Sequence, residues 1–300
     1  MQVIEKQVYV FSKHNEPCAT ARPGEVVQFV TQDCFSNRIP DENITMADLD
    51  YTYGFANPAA GPVYIEGAMP GDVLAVDILA VDVADEGTVA TDDHCGPLFE
   101  GTDYRTKKVR IEDGMAEFNG VTFPISPMIG VIGTAPDGDD VIDGFVGAHG
   151  GNMDSKLIVA GTRLYLPVRV PGALLQMGDV HAAMGDGELC GTGIEIPARI
   201  AVAVHLVKDF ELHWPVLETE DAWYVHASAP KYDEALMNGA KEMRRLLMAA
   251  TGWDAVETYM YMSIRSDVQI NQGCEPCEVQ LSLRIGTPKL PQFPPLVARP

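Results

Sequence analysis

The sequence predicts a mainly β protein with α+β additions: a β-sandwich or barrel-like core with an interleaved α/β subdomain. Three observations carry this expectation. Through the first 210 residues, short apolar runs alternate with turns rich in Gly and Pro, the pattern of many short strands rather than a doubly wound sheet. Helical periodicity appears late, between residues 233 and 264. With 300 residues and 46% hydrophobic content, the chain can bury a large core in one big domain or two interlocked ones, which argues against disorder.

Each element follows from local pattern. Residues 63–68 form a strand that runs into Met69-Pro70-Gly71-Asp72, where Pro fixes φ and Gly allows φ > 0, and on into residues 73–83. That is a β-hairpin signal. In the second arm Val73, Ala75, Asp77 and Leu79 alternate with Leu74, Val76, Ile78 and Ala80, so one face is apolar and the other mixed. Similar runs recur at residues 163–170, 173–177 and 194–207. From Asp233, Leu236, Ala240, Met243, Leu247 and Ala250 keep helical spacing, with Gly252 as a stop. Asp254 and Glu257 resemble a capping box, after which Val256, Tyr259, Met260 and Ile264 form a second stripe expected to face the core. Val279, Leu281, Leu283 and Ile285 alternate with Gln280, Ser282 and Arg284, a half-buried strand. The Pro-rich end, residues 288–300, reads as an arm over the surface or over a subunit neighbour. The expected organisation is one unit over 1–300, with a β-rich core at 1–210 carrying the site. A helix-containing α+β portion and the C-terminal arm occupy 211–300.

Charge narrows the partners. Forty-three acidic residues against 21 basic ones give a formal charge of -22, which repels phosphate backbones and anionic bilayers and argues against nucleic acid and membrane partners. The N-terminus lacks a basic region followed by an apolar stretch, and no later run reaches the roughly 18 to 20 apolar residues of a membrane span, so the expected location is cytoplasmic. Six Cys are too few for a disulfide scaffold. Cys274 and Cys277 form the one CxxC pair and, with no second pair to complete a zinc site, read as structural or incidental.

Candidate chemistry concentrates in residues 147–195, which hold two His and five Asp or Glu among many Gly. His149 and Asp154 flank Gly150-Gly151-Asn152-Met153, a turn that lets both side chains converge on one ion or one water. Asn152 adds a neutral donor and acceptor suited to gripping a carboxamide, and Met153 beside it can tune pocket size. Asp179 and His181 are i and i+2, one face of a strand. Gly185-Asp186-Gly187-Glu188 makes a flexible loop able to return Asp186 and Glu188 to the same region. A turn-rich hairpin whose Asp residues cap backbone N–H groups is the plainer alternative. Asp33 is a further ligand or a turn cap. Glu66, on the face of Tyr64 and Ala68, is a supporting carboxylate, and Glu195 is either support or an edge charge. His205, between Val204 and Leu206, reads as a core histidine. Cys34, Cys95 and Cys190 leave a thiol nucleophile open by count, with Cys190 closest in sequence to the acidic loop.

Residues 147–195, NPAAGPVYIEGAMPGDVLAVDI (57–78), PISPMIGVIGTAP (124–136) and the Asp33-Cys34-Phe35 step together resemble the acetamidase/formamidase family of aliphatic amide hydrolases. The blocks keep the family's order through about the first two thirds of the chain, and the likeness weakens after Val207. The resemblance implies an amidohydrolase that splits a small neutral amide, acetamide or formamide, into ammonia and the carboxylic acid. It also implies a mainly β core with α/β additions and a homo-oligomer, a dimer or higher. The residues imply a metal-assisted site, in which a divalent ion lowers the pKa of water and polarises the carbonyl while a Glu shuttles the proton. The expected ligands are His149, Asp154, Asp179, His181 and Asp33. Glu188, Asp186 and Asn152 are the expected catalytic groups, supported by Glu66 and Glu195. Zinc comes first because two His are present, with calcium or magnesium open because oxygens outnumber nitrogens. Two alternatives stand beside this: a hydrolase of another C–N bond, in a cyclic amide or ureido compound, or a non-catalytic β-rich binding module organised by calcium.

Overall fold

The structure, a computed structural model, describes residues 1–49, 55–277 and 279–300. The alternation along Val73–Val83 shows how it is built. Leu74, Val76 and Ile78 enter one apolar cluster and Val73 and Ala75 another, so the first half of this strand is covered on both faces. Among the described residues it lies inside a nine-stranded sheet ordered Gln2–Ile4, Val26–Thr31, Ala198–Val207, Val73–Val83, Arg163–Pro167, Val216–Glu218, Ala222–Ala229, Leu281–Pro288, Asp267–Gln272. Neighbours run antiparallel except the first pair, which is parallel.

A second sheet is ordered Val146–Gly147, Gly150–Asn152, Met128–Gly133, Leu175–His181, Ala59–Ile65, Gln7–Val8, with Ala19–Ala21 pairing parallel to Ala59–Ile65. Its Val63, Ile65, Ile129, Ile132, Leu175 and Met177 share one core with Leu74, Val76, Leu166, Ile200 and Val202 of the first sheet, a two-sheet sandwich. The far half of the large sheet buries its other face under two helices, α1 (Tyr232–Thr251) and α2 (Ala255–Arg265). There Met243, Leu246 and Leu247 meet Trp223, Val225, Leu283 and Ile285. The predicted class therefore holds: mainly β, with helices added on one side. The helix signals also hold: α1 ends at Gly252 with φ 75°, and the Asp254 side chain accepts N–H bonds from Val256 and Glu257. Among the described residues no helix is long and apolar enough to cross a membrane.

Five local expectations are corrected. The hairpin at residues 63–83 is instead a corner: Ala59–Ile65 belongs to the second sheet and Val73–Val83 to the first, so the Met69–Asp72 turn carries the chain between layers. Glu66 leaves the strand with that turn and sits exposed, paired with Arg22 at 3.4 Å. In α2 the buried residues are Thr258 and Met262, while Val256, Tyr259, Met260 and Ile264 are each more than 60% exposed, because the helix turns its smaller face to the core. The strand Leu281–Pro288 is buried on both faces rather than one. The Pro-rich arm folds back on its own chain, with Leu296 and Val297 in the second core and Phe293 edge-on to Trp253.

Double burial of Leu281–Pro288 takes Arg284 into the interior, where only 1% of it is exposed. Its guanidinium donates two bonds to Asp186, at 2.9 and 2.8 Å, and one each to Asn271 at 2.6 Å and Gln269 at 2.7 Å. A buried charge held this way is costly to leave half-made. Arg284→Met is expected to lower unfolding stability by about 3 kcal/mol in urea titrations, and adding Asp186→Asn should recover part of that loss. Equal stability of Arg284→Met and wild type would contradict this account.

Candidate active site

Beneath one end of the sandwich, backbone geometry drives carboxylates together. The strand Met128–Gly133 runs between Gly150–Asn152 and Leu175–His181. At Gly130 a Cβ would lie 2.5 Å from Asp154 Oδ1 and 2.7 Å from the Asp179 carbonyl oxygen, so only glycine lets these residues close over the strand. Asp154, Asp179 and Glu188 adopt positive φ (44°, 51° and 44°), as does Asn57 (52°). Non-glycine residues in this region are strained by about 1 kcal/mol or more each, a cost typical of built sites.

The result is an imidazole ringed by acids. His181 Nε2 lies 3.1 Å from Glu195 Oε1, 3.6 Å from Asp179 Oδ1 and 3.9 Å from both Asp154 Oδ1 and Glu188 Oε1. None of the five residues is more than 5% exposed. A second layer grips the acids from outside. Asn57 Nδ2 donates to Asp179 Oδ2 at 2.9 Å, Gln272 Nε2 donates to Asp154 Oδ2 at 2.6 Å and Glu188 Oε2 at 2.9 Å, and the Gly193 N–H donates to Glu195 Oε1 at 2.8 Å. Asp154 Oδ1, Asp179 Oδ1 and His181 Nε2 are left facing one another without a hydrogen bond.

Burial first, then the neighbouring charges, sets the protonation. The Asp154 carboxyl is pushed well above its ordinary range by desolvation and by Glu188, Glu188 is raised to about 7 and Glu195 to about 8. Burial alone would lower His181, but Glu195 and Asp179 hold it well above its usual value. Full ionisation of this group demands a compensating cation. The residues fit one: ligands about 2.1 Å from a tetrahedral ion stand about 3.4 Å apart, close to the separations around His181, and the orphaned donor atoms comprise one nitrogen and carboxylate oxygens. Asp154, His181 and Glu188 form one of three groups among the described residues whose ligand atoms converge tightly enough to hold an ion.

The other candidate residues are placed differently. Asp33 Oδ1 accepts the N–H groups of Phe35 and Asn37 at 3.1 and 2.6 Å, which is a turn cap. His149 is buried edge-on against Phe11, with its Nε2 unpaired and its pKa lowered to about 4 by burial, and it does not join the ring around His181. Asp186 is exposed and bound to Arg284 and Lys156, and Glu66 is on the surface. His205, expected in the core, is partly exposed and pairs with Asp77 at 3.2 Å. Cys34, not Cys190, is the thiol at the cluster: it lies within reach of Asp179 and Glu195, and burial and those charges push its pKa well above 9.0.

A cleft of 630 Å³ opens above the cluster, bordered by Asn57, Asn152 and Gln272 with Leu49 and Tyr104. Asn152 donates to the Gly144 carbonyl at 3.3 Å and keeps its Oδ1 free of partners. Met153 does not border it, being wholly buried in the first core. Asn57 and Gln272 were not singled out by the sequence. Asn57 opens the block at residues 57–78, a signal that could have found it, whereas Gln272 carries none.

A sandwich of this build is the architecture of a known class. The profile of the acetamidase/formamidase family matches residues 9–144 and 145–269, and the chain belongs to that family. It is 36% identical to the acetamidase from Bacillus halodurans, whose crystal structure superimposes with a TM-score of 0.91 over 95% of this chain and 97% of that one. A formamidase from Methylophilus methylotrophus is 26% identical over 255 residues, covering 64% of this chain and 61% of its own length. An acetamidase from Mycolicibacterium smegmatis is 24% identical over 268 residues, with 63% of each covered. The chain thus spans about three fifths of the length of the curated relatives it matches.

The cluster makes stability depend on pH when no ion is bound. The folded pKa values of Glu188 and Glu195 are raised above the ordinary 4.5, so their protonated forms favour the fold. That contribution is complete below about pH 4.5 and is lost as pH rises through about 7 and about 8. The metal-free protein is therefore expected to lose urea resistance across this window, less so in Glu195→Gln. A flat profile in both would show that the cluster does not carry the repulsion described.

Proposed function

We propose that the chain hydrolyses short linear amides, acetamide or formamide, to ammonia and the carboxylic acid. The observation that carries this reading is the convergence of Asp154, Asp179, Glu188 and Glu195 on His181 beneath a cleft bordered by Asn152 and Gln272. The names of the family relatives support the substrate class. Asp154, Asp179 and His181 are the residues that would hold a divalent ion, and the imidazole among them favours zinc over calcium or magnesium. When bound, such an ion supplies Lewis acidity, lowering the pKa of water and polarising a carbonyl. Asn152, with its unpaired Oδ1, accepts the amide N–H and orients the substrate. Glu188, with a pKa about 7, takes a proton from water and passes it to the leaving amine. Glu195, whose Oε1 lies nearest His181 Nε2, supports the site by adding a carboxylate charge beside the ion position.

Ammonia release from acetamide and formamide tests the reading directly. Chelation should abolish it and a divalent ion should restore it. Glu188→Gln is expected to keep the ion and lose about a hundredfold or more in turnover, whereas His181→Ala should lose ion and turnover together. Chelator-resistant hydrolysis would overturn the metal reading, and no ammonia from any amide would leave a binding module.

The assembly proposal is a homo-oligomer, a dimer or higher. Val256, Tyr259, Met260 and Ile264 present a contiguous exposed apolar stripe on α2, of the kind that subunit contacts cover. Sedimentation should show a multimer that becomes smaller in Tyr259→Lys/Met260→Lys. A monomeric wild type at micromolar concentration would refute it.

A further inference from the structure

We propose that Cys95, Cys274 and Cys277 form a second metal site, a three-thiolate seat for zinc on the rim of the cleft, separate from the carboxylate cluster. The three Sγ atoms lie within 4.8 Å of one another, and Cys274 and Cys277 are 3.6 Å apart. Tetrahedral zinc with Zn–S bonds of about 2.3 Å sets its sulfurs about 3.8 Å apart, so the thiols already stand near coordinating distance. All three border the cleft, which leaves a fourth position open to water.

The loops are built around these thiols. Asp92 Oδ1 accepts the His94 and Cys95 N–H groups at 2.8 and 2.6 Å, turning the first loop, and the Gly96 N–H donates to the Cys274 carbonyl at 2.6 Å, locking it to the second. At Gly191 a Cβ would lie 2.5 Å from Cys95 Sγ, so this glycine clears the space the thiol occupies. The sequence showed only half of the set, a CxxC without a second pair. Folding supplies the third ligand from a residue far away in the chain.

The position gives the site a role. The Gly273 N–H donates to the Gly187 carbonyl at 3.0 Å, and the Gly187 N–H donates to the Asn271 carbonyl at 2.8 Å. These bonds tie the segment bearing Gln272 to the segment bearing Glu188. An ion on Cys95, Cys274 and Cys277 clamps the same rim, fixing the wall behind both residues.

The test uses the reduced full chain and Co²⁺, which shows a sulfur-to-cobalt charge-transfer band when thiolates bind it. The band should appear with Co²⁺, vanish on addition of Zn²⁺, and be lost in Cys95→Ser and in Cys277→Ser. It should persist in His181→Ala, which removes the buried site, and in Cys34→Ser, which removes the thiol beside it. A band absent from wild type, unchanged in Cys95→Ser and Cys277→Ser, or lost in Cys34→Ser overturns the proposal. In the wild-type chain Zn²⁺ should also slow iodoacetamide labelling of these three cysteines by about tenfold or more, and equal labelling with and without zinc would refute it. Neither readout depends on amide hydrolysis.

Discussion

The structure is organised around the repulsion among four carboxylates packed about one buried imidazole. Like charges about 4 Å apart cost on the order of 4 kcal/mol per pair even at an effective dielectric near 20, and a whole domain is stable by only about 5–15 kcal/mol. Such a group survives folding only if protons or a cation offset the charge and the surroundings prevent it from splaying apart. Asn57 and Gln272 hold the outer oxygens of Asp179, Asp154 and Glu188, so the inner oxygens of these acids turn toward His181, and the Gly193 N–H holds Glu195 by the oxygen nearest the ring. The cluster that carries the proposed function is also the fold's main liability.

What resists the repulsion is the sandwich. Ile129, next to Gly130, and Ile132, two residues beyond it, sit fully buried in the first core, so the strand that the acids close over cannot recede. The positive φ values of Asp154, Asp179 and Glu188 are then tolerated because packed neighbours over-determine the backbone on either side. The helix-bearing portion is not a bystander. Its edge strand Asp267–Gln272 delivers Gln272 to two acids at once, so the site spans chain segments on both sides of residue 210.

Asp186 and Glu188 show how finely this is decided. They lie two residues apart in one glycine-rich loop, and sequence alone treats them as equals. Glu188 turns inward at 5% exposure to join the imidazole. Asp186 turns toward Arg284, a charge drawn inside by double burial of its strand. A guanidinium in the interior captures the nearest carboxylate that can reach it, and the loop's flexibility lets the two part.

Sequence by itself determined the mainly β class, the α1 stop at Gly252, the Asp254 cap, and the segment from which Asp154, Asp179, His181, Glu188 and Glu195 all come. These are local properties: periodicity reports which side of an element is apolar, and caps and glycines act within a few residues. Only the tertiary structure decided that residues 63–83 turn a corner between sheets, that α2 leaves its larger apolar stripe outside, and that Asn57, Cys34 and Gln272 reach the cluster. It alone showed that His149 and Asp33 stay apart from it. A strand pattern is the same whether its partner is the next segment or one a hundred residues away, so pairing across layers is settled by non-local packing and by where buried charge finds its counterpart.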